Sequence, residues 1–149
     1  MSSFKIFDIA GSGMSAESVR LNTVASNLAN ADSVSGDPAQ VYQAKHPVFQ
    51  ALQQSQAAQL VNGAAAQLAE QASAGVTVTG IVANTAAPDA RYDPGNPLAN
   101  ADGYVYSPNV NVVEEMTDMI SASRAYQNNV EVMNTARNMM LDTLKLGQS

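Results

Sequence analysis

Apolar residues recur at steps of three and four along the last forty positions of the chain. The stripe runs Val112, Met116, Met119, Ser123, Tyr126, Val130, Met133, Arg137, Met140, Leu144, and no Gly or Pro interrupts it. That period predicts one helix from Val112 to Leu144, about 50 Å long at ~1.5 Å per residue. A chain of 149 residues cannot wrap a globular core around so long a rod. The stripe is therefore expected to face other helices, including those of other subunits. A second stripe, Phe7, Ala10, Met14, Glu17, Leu21, Val24, Leu28, predicts a helix from about Phe4 to Asn30, with only Glu17 off pattern. Gly11 and Gly13 each cost roughly 1 kcal/mol in a helix interior. They read either as a frayed or kinked first turn or as a point of close helix–helix approach.

All six prolines lie between Pro38 and Pro108. Proline breaks helix interiors, so the order is helix, non-helical middle, helix. Ser33 to Pro38 is turn-like, and residues 41–45 read as a short strand ended by Pro47. The Ala/Gln-rich stretch 50–74 reads as a loose helix or a surface loop. Residues 76–83 alternate as a strand does. The turn-rich stretch 86–108 is expected to hold a small β hairpin or irregular β patch. The second helix opens on Asn111-Val112-Val113-Glu114, which has the form of a capping box with Asn at its head. Glu114, Glu115 and Asp118 at its start and Lys145 at its end suit the helix dipole, and Gly147 is a fitting stop. These boundaries divide the chain into an N-terminal helical segment, 1–33, a middle segment, 34–108, and a C-terminal helical segment, 109–149.

Composition narrows the classes. Aromatics are 5% and Trp is absent, a thin stock for a large compact core. The net charge of −6, without a basic cluster, sets nucleic acid aside. It also argues against an amphipathic helix lying on a membrane, whose apolar face would be flanked by Lys and Arg. With no Cys there is no disulfide and no thiolate metal site. Asp8 interrupts the apolar run Phe4 to Ala10 and only Lys5 is basic, so the start does not read as a secretory signal. No stretch reaches the ~18 apolar residues of a membrane span.

Candidate chemistry is sparse. His46 is the only histidine and precedes Pro47, which makes it a poor metal ligand or general base. No Gly-rich phosphate loop of standard form is present. Glu114 and Glu115 point about 100° apart on a helix, poor geometry for two carboxylates acting on one bond. Asp89, Asp93 and Asp102 fall in turn-rich sequence, where Asp is common. No catalytic, cofactor or metal site is expected. Five of the seven methionines fall in the second helix. They read as core filling or as an adaptable seam against unlike neighbours. Tyr126 reads as a packing residue, and Arg137 either snorkels past its neighbours or pairs with an acid on another helix.

Two stretches resemble a known family. Ser18-Val-Arg20-Leu21-Asn22, continuing through Asn27-Leu28-Ala29-Asn30, resembles the Asn-Leu-Ala-Asn signature of flagellar rod, hook and hook-associated proteins. Asn109 to Gln127 resembles the second signature of that family. Tyr92-Asp93-Pro94-Gly95-Asn96-Pro97, Asp102-Gly103-Tyr104-Val105 and the ending Met140 to Gln148 resemble its proximal rod branch. The resemblance implies a non-enzymatic structural subunit of the hollow basal-body rod, which transmits torque from motor to hook. Such subunits leave the cell through the flagellar type III export apparatus without a cleaved signal. The implied fold is mainly α, with the terminal helices paired as an antiparallel coiled coil and a small irregular β-containing middle domain. The implied partners are other rod subunits, copies of the chain itself and the export apparatus, with no nucleic acid, small-molecule substrate or membrane insertion.

The expected subunit-interface residues are Phe7, Met14, Leu21, Val24, Asn27, Leu28 and Asn30 on the first helix. On the second they are Val112, Met116, Met119, Tyr126, Val130, Met133, Arg137, Met140 and Leu144. The amides of Asn22, Asn27 and Asn30 either bond across subunits or merely terminate their helix. Two rival functions stay open at this point, another axial subunit of the same family and a wall hydrolase carried with the rod.

Overall fold

The computed structural model describes residues 3–52 and 75–146. Most of the Ala/Gln-rich stretch, from residue 53 on, and Gly147 lie outside the described residues. The element order is α1 (Ser3–Asn30), a 3-10 turn (Pro38–Gln40), β1 (Lys45–Ala51), β2 (Val76–Ala83), β3 (Asp89–Tyr92), β4 (Tyr104–Ser107) and α2 (Val112–Leu146). β1 pairs with β2 and β3 with β4 in two separate two-stranded ribbons. The backbone falls into two compact units. The first is Met1–Ser18, Phe49–Thr79 and Ser123–Ser149; the second is Val19–Val48 and Gly80–Ala122.

Local chemistry accounts for most boundaries. α1 stops where the Asn30 amide turns back to the Ser26 carbonyl and the Ser33 hydroxyl bonds the Asn30 carbonyl. The 3-10 turn starts on Asp37, whose carboxylate accepts from Ala39 N–H, with Pro38 supplying the fixed φ of a first turn. Asn111 caps α2 as expected, its side-chain oxygen accepting from the N–H groups of Val113 and Glu114. β1 departs from expectation: it begins at Lys45 and runs through Pro47 to Ala51. In a two-stranded ribbon alternate N–H groups point away from the partner, so Pro47 removes no necessary ladder bond. Residues 41–44 precede the strand.

In the first unit, the buried helical positions are alanines: Ala10, Ala16 and Ala136. Gly13 lies against Asn129, where a Cβ would come within 2.8 Å of Nδ2, whereas Gly11 has open space around its α-carbon. Close approach thus accounts for one glycine of the pair. The Ser12 hydroxyl donates to Ile9 O and accepts from Val76 N–H, tying the start of β2 to α1.

In the second unit, the buried residues are Thr23, Val24, Asn27, Ala44, Val105, Pro108, Glu115 and Ala122. β3 and β4 are antiparallel, with Tyr92 opposite Tyr104 and Asp89 opposite Ser107. Ser35 bridges to Tyr106 on the other side of β4 through two backbone bonds of 2.9 and 2.8 Å. The loop between the strands is wired by its own asparagines. Asn100 Oδ1 accepts from the N–H groups of Asp102 and Tyr104, and Asn96 Oδ1 from that of Leu98. Gly103 closes the loop at φ +78°, beneath the ring of Tyr92.

The expectation of a mainly α fold, with the terminal helices zipped as an antiparallel coiled coil over an irregular middle domain, is corrected. The helices hold 28 and 35 residues, while the middle is two regular ribbons, so the fold is mixed. The buried helical positions also coincide only in part with the apolar stripes. On α2 the buried positions are Glu115 and Ala122 in the second unit and Ala136 in the first, whereas Val112, Met116, Tyr126, Arg137 and Leu144 are exposed. On α1 the buried positions are Ala10, Ala16, Thr23, Val24 and Asn27, of which Ala10 and Val24 belong to the stripe, whereas Phe7, Met14, Leu21 and Leu28 are only half-buried. Small and polar side chains fill most of the buried positions because they permit close backbone approach and directed hydrogen bonds. A seam of interlocking large apolar knobs would need the opposite distribution.

Gly103 and Gly80 offer a paired check. Gly103→Ala places a Cβ 2.9 Å from the Tyr92 ring at a positive φ. It is expected to destabilise by about 1–3 kcal/mol. Gly80, in β2 with open space around it, is expected to tolerate Ala with no loss and up to roughly 1 kcal/mol of gain. Urea unfolding midpoints of the two variants should move in opposite directions or only the first should fall.

Candidate functional site

The most constrained group of side chains lies in the second unit, around Asn27. Helical periodicity places Asn27 one turn before the end of α1, on the same side as Thr23 and Val24, and it is 0% exposed. A buried primary amide must find four hydrogen-bond partners or carry a penalty of about 1–3 kcal/mol for each group left bare. Asn27 finds all four. Its Nδ2 donates to the Lys45 carbonyl and to Glu115 Oε1, both at 2.9 Å. Its Oδ1 accepts from Lys45 N–H and from the Tyr42 hydroxyl, both at 2.9 Å. The backbone of Lys45 fixes which way the amide faces, since an N–H needs the oxygen and a carbonyl needs the nitrogen. The Tyr42 proton is thereby committed to Asn27, so the Ser26 hydroxyl, 3.2 Å away, donates to the Tyr42 oxygen.

Glu115 enters from the first turns of α2 and is 5% exposed. Oε1 accepts from Asn27, while Oε2 is buried without a hydrogen-bond partner among the described residues. One turn on, Asp118 pairs with Arg20 at 2.8 Å. Both side chains are partly exposed, so that pair adds little stability by itself and chiefly sets register. The Lys45 ammonium lies 5.6 Å from the centroid of the Tyr42 ring. In one unit, two hydrogen-bonded connections join α1 to α2 and one joins α1 to the first residue of β1.

This arrangement can hold and orient backbone. It contains no nucleophile–base pair, and among the described residues no group of three or more His, Asp or Glu could share a metal ion. His46 is exposed in β1, whereas Asn27 and Glu115 are buried. The expected interface residues are placed as follows. Asn27 and Val24 are buried; Phe7, Met14, Leu21, Leu28, Asn30, Met119, Val130, Met133 and Met140 are half-buried; Val112, Met116, Tyr126, Arg137 and Leu144 are exposed. Asn27 has no capacity left for a neighbouring subunit, and Asn30 bonds back within its own helix. Glu115, Tyr42 and Lys45 were missed by sequence reasoning. The signal for Glu115 was present: it stands four residues before Met119 and seven before Ala122, on one side of the helix.

Asn27→Ala strips the Lys45 peptide group and Glu115 of partners and is expected to destabilise the chain by roughly 3–5 kcal/mol. Tyr42→Phe leaves Asn27 Oδ1 with one donor and should cost only about 0.5–1.5 kcal/mol. Glu115→Gln keeps the acceptor for Asn27 while removing a buried charge, and should fall within about 1 kcal/mol of the parent. Urea denaturation of the three variants checks this order.

Comparison with known proteins follows the same stretches. A family model described as flagella basal body rod protein matches residues 7–36, and one described as flagellar basal body rod FlgEFG protein C-terminal matches residues 101–146. The chain is 51% identical over 148 residues to the flagellar basal-body rod protein FlgC of Salmonella typhimurium, covering 99% of this chain and 100% of that protein. It is 52% identical over 148 residues to the FlgC of Escherichia coli O6:H1, with the same coverage. To the FlgC of Buchnera aphidicola subsp. Schizaphis graminum it is 41% identical over 150 residues, again covering 99% and 100%. With relatives at this identity aligned from end to end, the chain belongs to the FlgC family of flagellar basal-body rod proteins.

Proposed function

We propose that the chain is a structural subunit of the flagellar basal-body rod. It is built into the rod with other rod subunits and copies of itself, and it carries torque rather than chemistry. The observation that carries this reading is the alignment with FlgC proteins over 99% of the chain. The proposal extends to export through the flagellar type III apparatus. No helix among the described residues is long and apolar enough to cross a membrane.

The assembly surface proposed here lies on the outward side of the helices. In the second unit, Val112, Val113, Met116 and Ile120 are 39%, 74%, 51% and 55% exposed. Steps of one, three and four residues keep them within about a third of the helix circumference. Such a continuous apolar face on a helix otherwise rich in polar residues is suited to packing against a neighbouring chain. In the first unit, Tyr126, Arg137 and Leu144, the other exposed members of the expected stripe, are proposed as contacts in their own right.

Replacing Val113 and Met116 with Asp tests the reading in a flagellated bacterium lacking its own copy. Exposed substitutions of this kind shift stability by roughly 0.5 kcal/mol or less. The double variant is expected to fold and to leave the cell, yet to be missing from purified basal bodies, with motility lost. Normal incorporation would remove the surface from the proposal. Val113→Ala with Met116→Ala, which adds no charge, should give a weaker form of the same defect.

A further inference from the structure

The tip of the β3–β4 hairpin, residues 92–104, turns its large side chains outward, while Val105 behind it is buried. Tyr92 is 64% exposed, Leu98 53% and Tyr104 40%, and none of residues 93–104 is buried. The loop is nevertheless held in one conformation. Asp93 N–H donates to Gly103 O, Gly103 N–H to Asn100 O, and Asn100 N–H to Tyr104 O. The Tyr92 ring is fixed from two sides, by Gly103 beneath it and by Tyr104 meeting it edge-on at 5.3 Å and 65°. A segment that adds nothing to the core, yet holds an aromatic ring in place and in solvent, has the properties of a pre-organised contact surface. Ordering costs are already met, and tyrosine is among the side chains that anchor interfaces.

Charge selects the partner. Asp89, Asp93 and Asp102 accompany a single cation, Arg91, on this hairpin, and the whole second unit carries eight carboxylates against three Lys or Arg. Two copies of this surface repel one another. A cationic surface is attracted, and a Lys or Arg side chain can lay its apolar stem and charged head over the Tyr92 face. We propose that the tip of the β3–β4 hairpin docks a lysine- or arginine-bearing surface of a different protein chain, with Tyr92 as its anchor and Asp89 and Asp102 as its charge complement. This contact is distinct from the apolar face of α2 proposed above for assembly.

The test uses the full chain in assembled basal bodies, with a photoreactive benzoylphenylalanine in place of Leu98. After irradiation, mass spectrometry of the adduct should identify a peptide of another protein that contains Lys or Arg. Its yield should fall roughly fivefold in Tyr92→Ala and also fall in the double variant Asp89→Asn with Asp102→Asn. The charge variant leaves the hairpin backbone and ring untouched, so its effect does not depend on a change of fold. An adduct with a second copy of this chain, with a glycan or with lipid, or no adduct at all, overturns the proposal, as does a yield unchanged in both variants. The same probe at Val113 separates the two readings. An adduct at 113 with none at 98 sinks the hairpin contact alone, and none at either position sinks both.

Discussion

The second unit depends on one amide reading one peptide group. Lys45 is where the chain, returning from the end of α1, enters β1. Its N–H and carbonyl would normally be matched by a neighbouring strand, and Asn27 supplies the same donor and acceptor from a helix. Few side chains can do this. Asp lacks the donor, Leu lacks both groups, and Gln carries the amide one methylene farther out. Because Asn27 also takes up Tyr42 and Glu115, the end of α1, the start of β1 and the first turns of α2 share a single buried atom set. Moving any one of them leaves groups bare in the others, which makes the positions interdependent.

The long elements could be read from the residues because each rests on local rules. Stripe periodicity located α1 and α2, alternation located β2, and the Asn111 cap placed the start of α2. β1 lies later than the sequence predicts because proline ends a strand inside a sheet but not on an open ribbon. The polar buried positions on the two helices were missed for a different reason. Hydrophobic periodicity leaves Glu115 off the stripe and reads Asn27 as a contact to another subunit or a helix terminator, whereas their burial is made possible by partners 18 and 88 residues away in sequence. Nothing within a turn of either residue announces those partners. Sequence reading also set Tyr42 in a strand, while its hydroxyl in fact closes the set around Asn27.

The distribution of side chains on α2 then acquires a physical reason. A solitary domain lowers its free energy by hiding its large apolar groups and leaving acids outside. Here Glu115, Ala122 and Ala136 are hidden, while Val113, Met139, Leu144 and Leu146 are 74%, 65%, 63% and 78% exposed. The buried positions use directed bonds and close backbone approach, which specify register at little apolar area. The outer side chains keep that area available for other molecules. A subunit with its methionines and leucines sealed inside would be the more stable monomer, and it would have less apolar surface to offer a neighbour. On the proposed reading, polar bonds such as Asn27–Glu115 and Arg20–Asp118 set the helix positions within one molecule and leave the exposed apolar side chains of α2 for contacts between molecules.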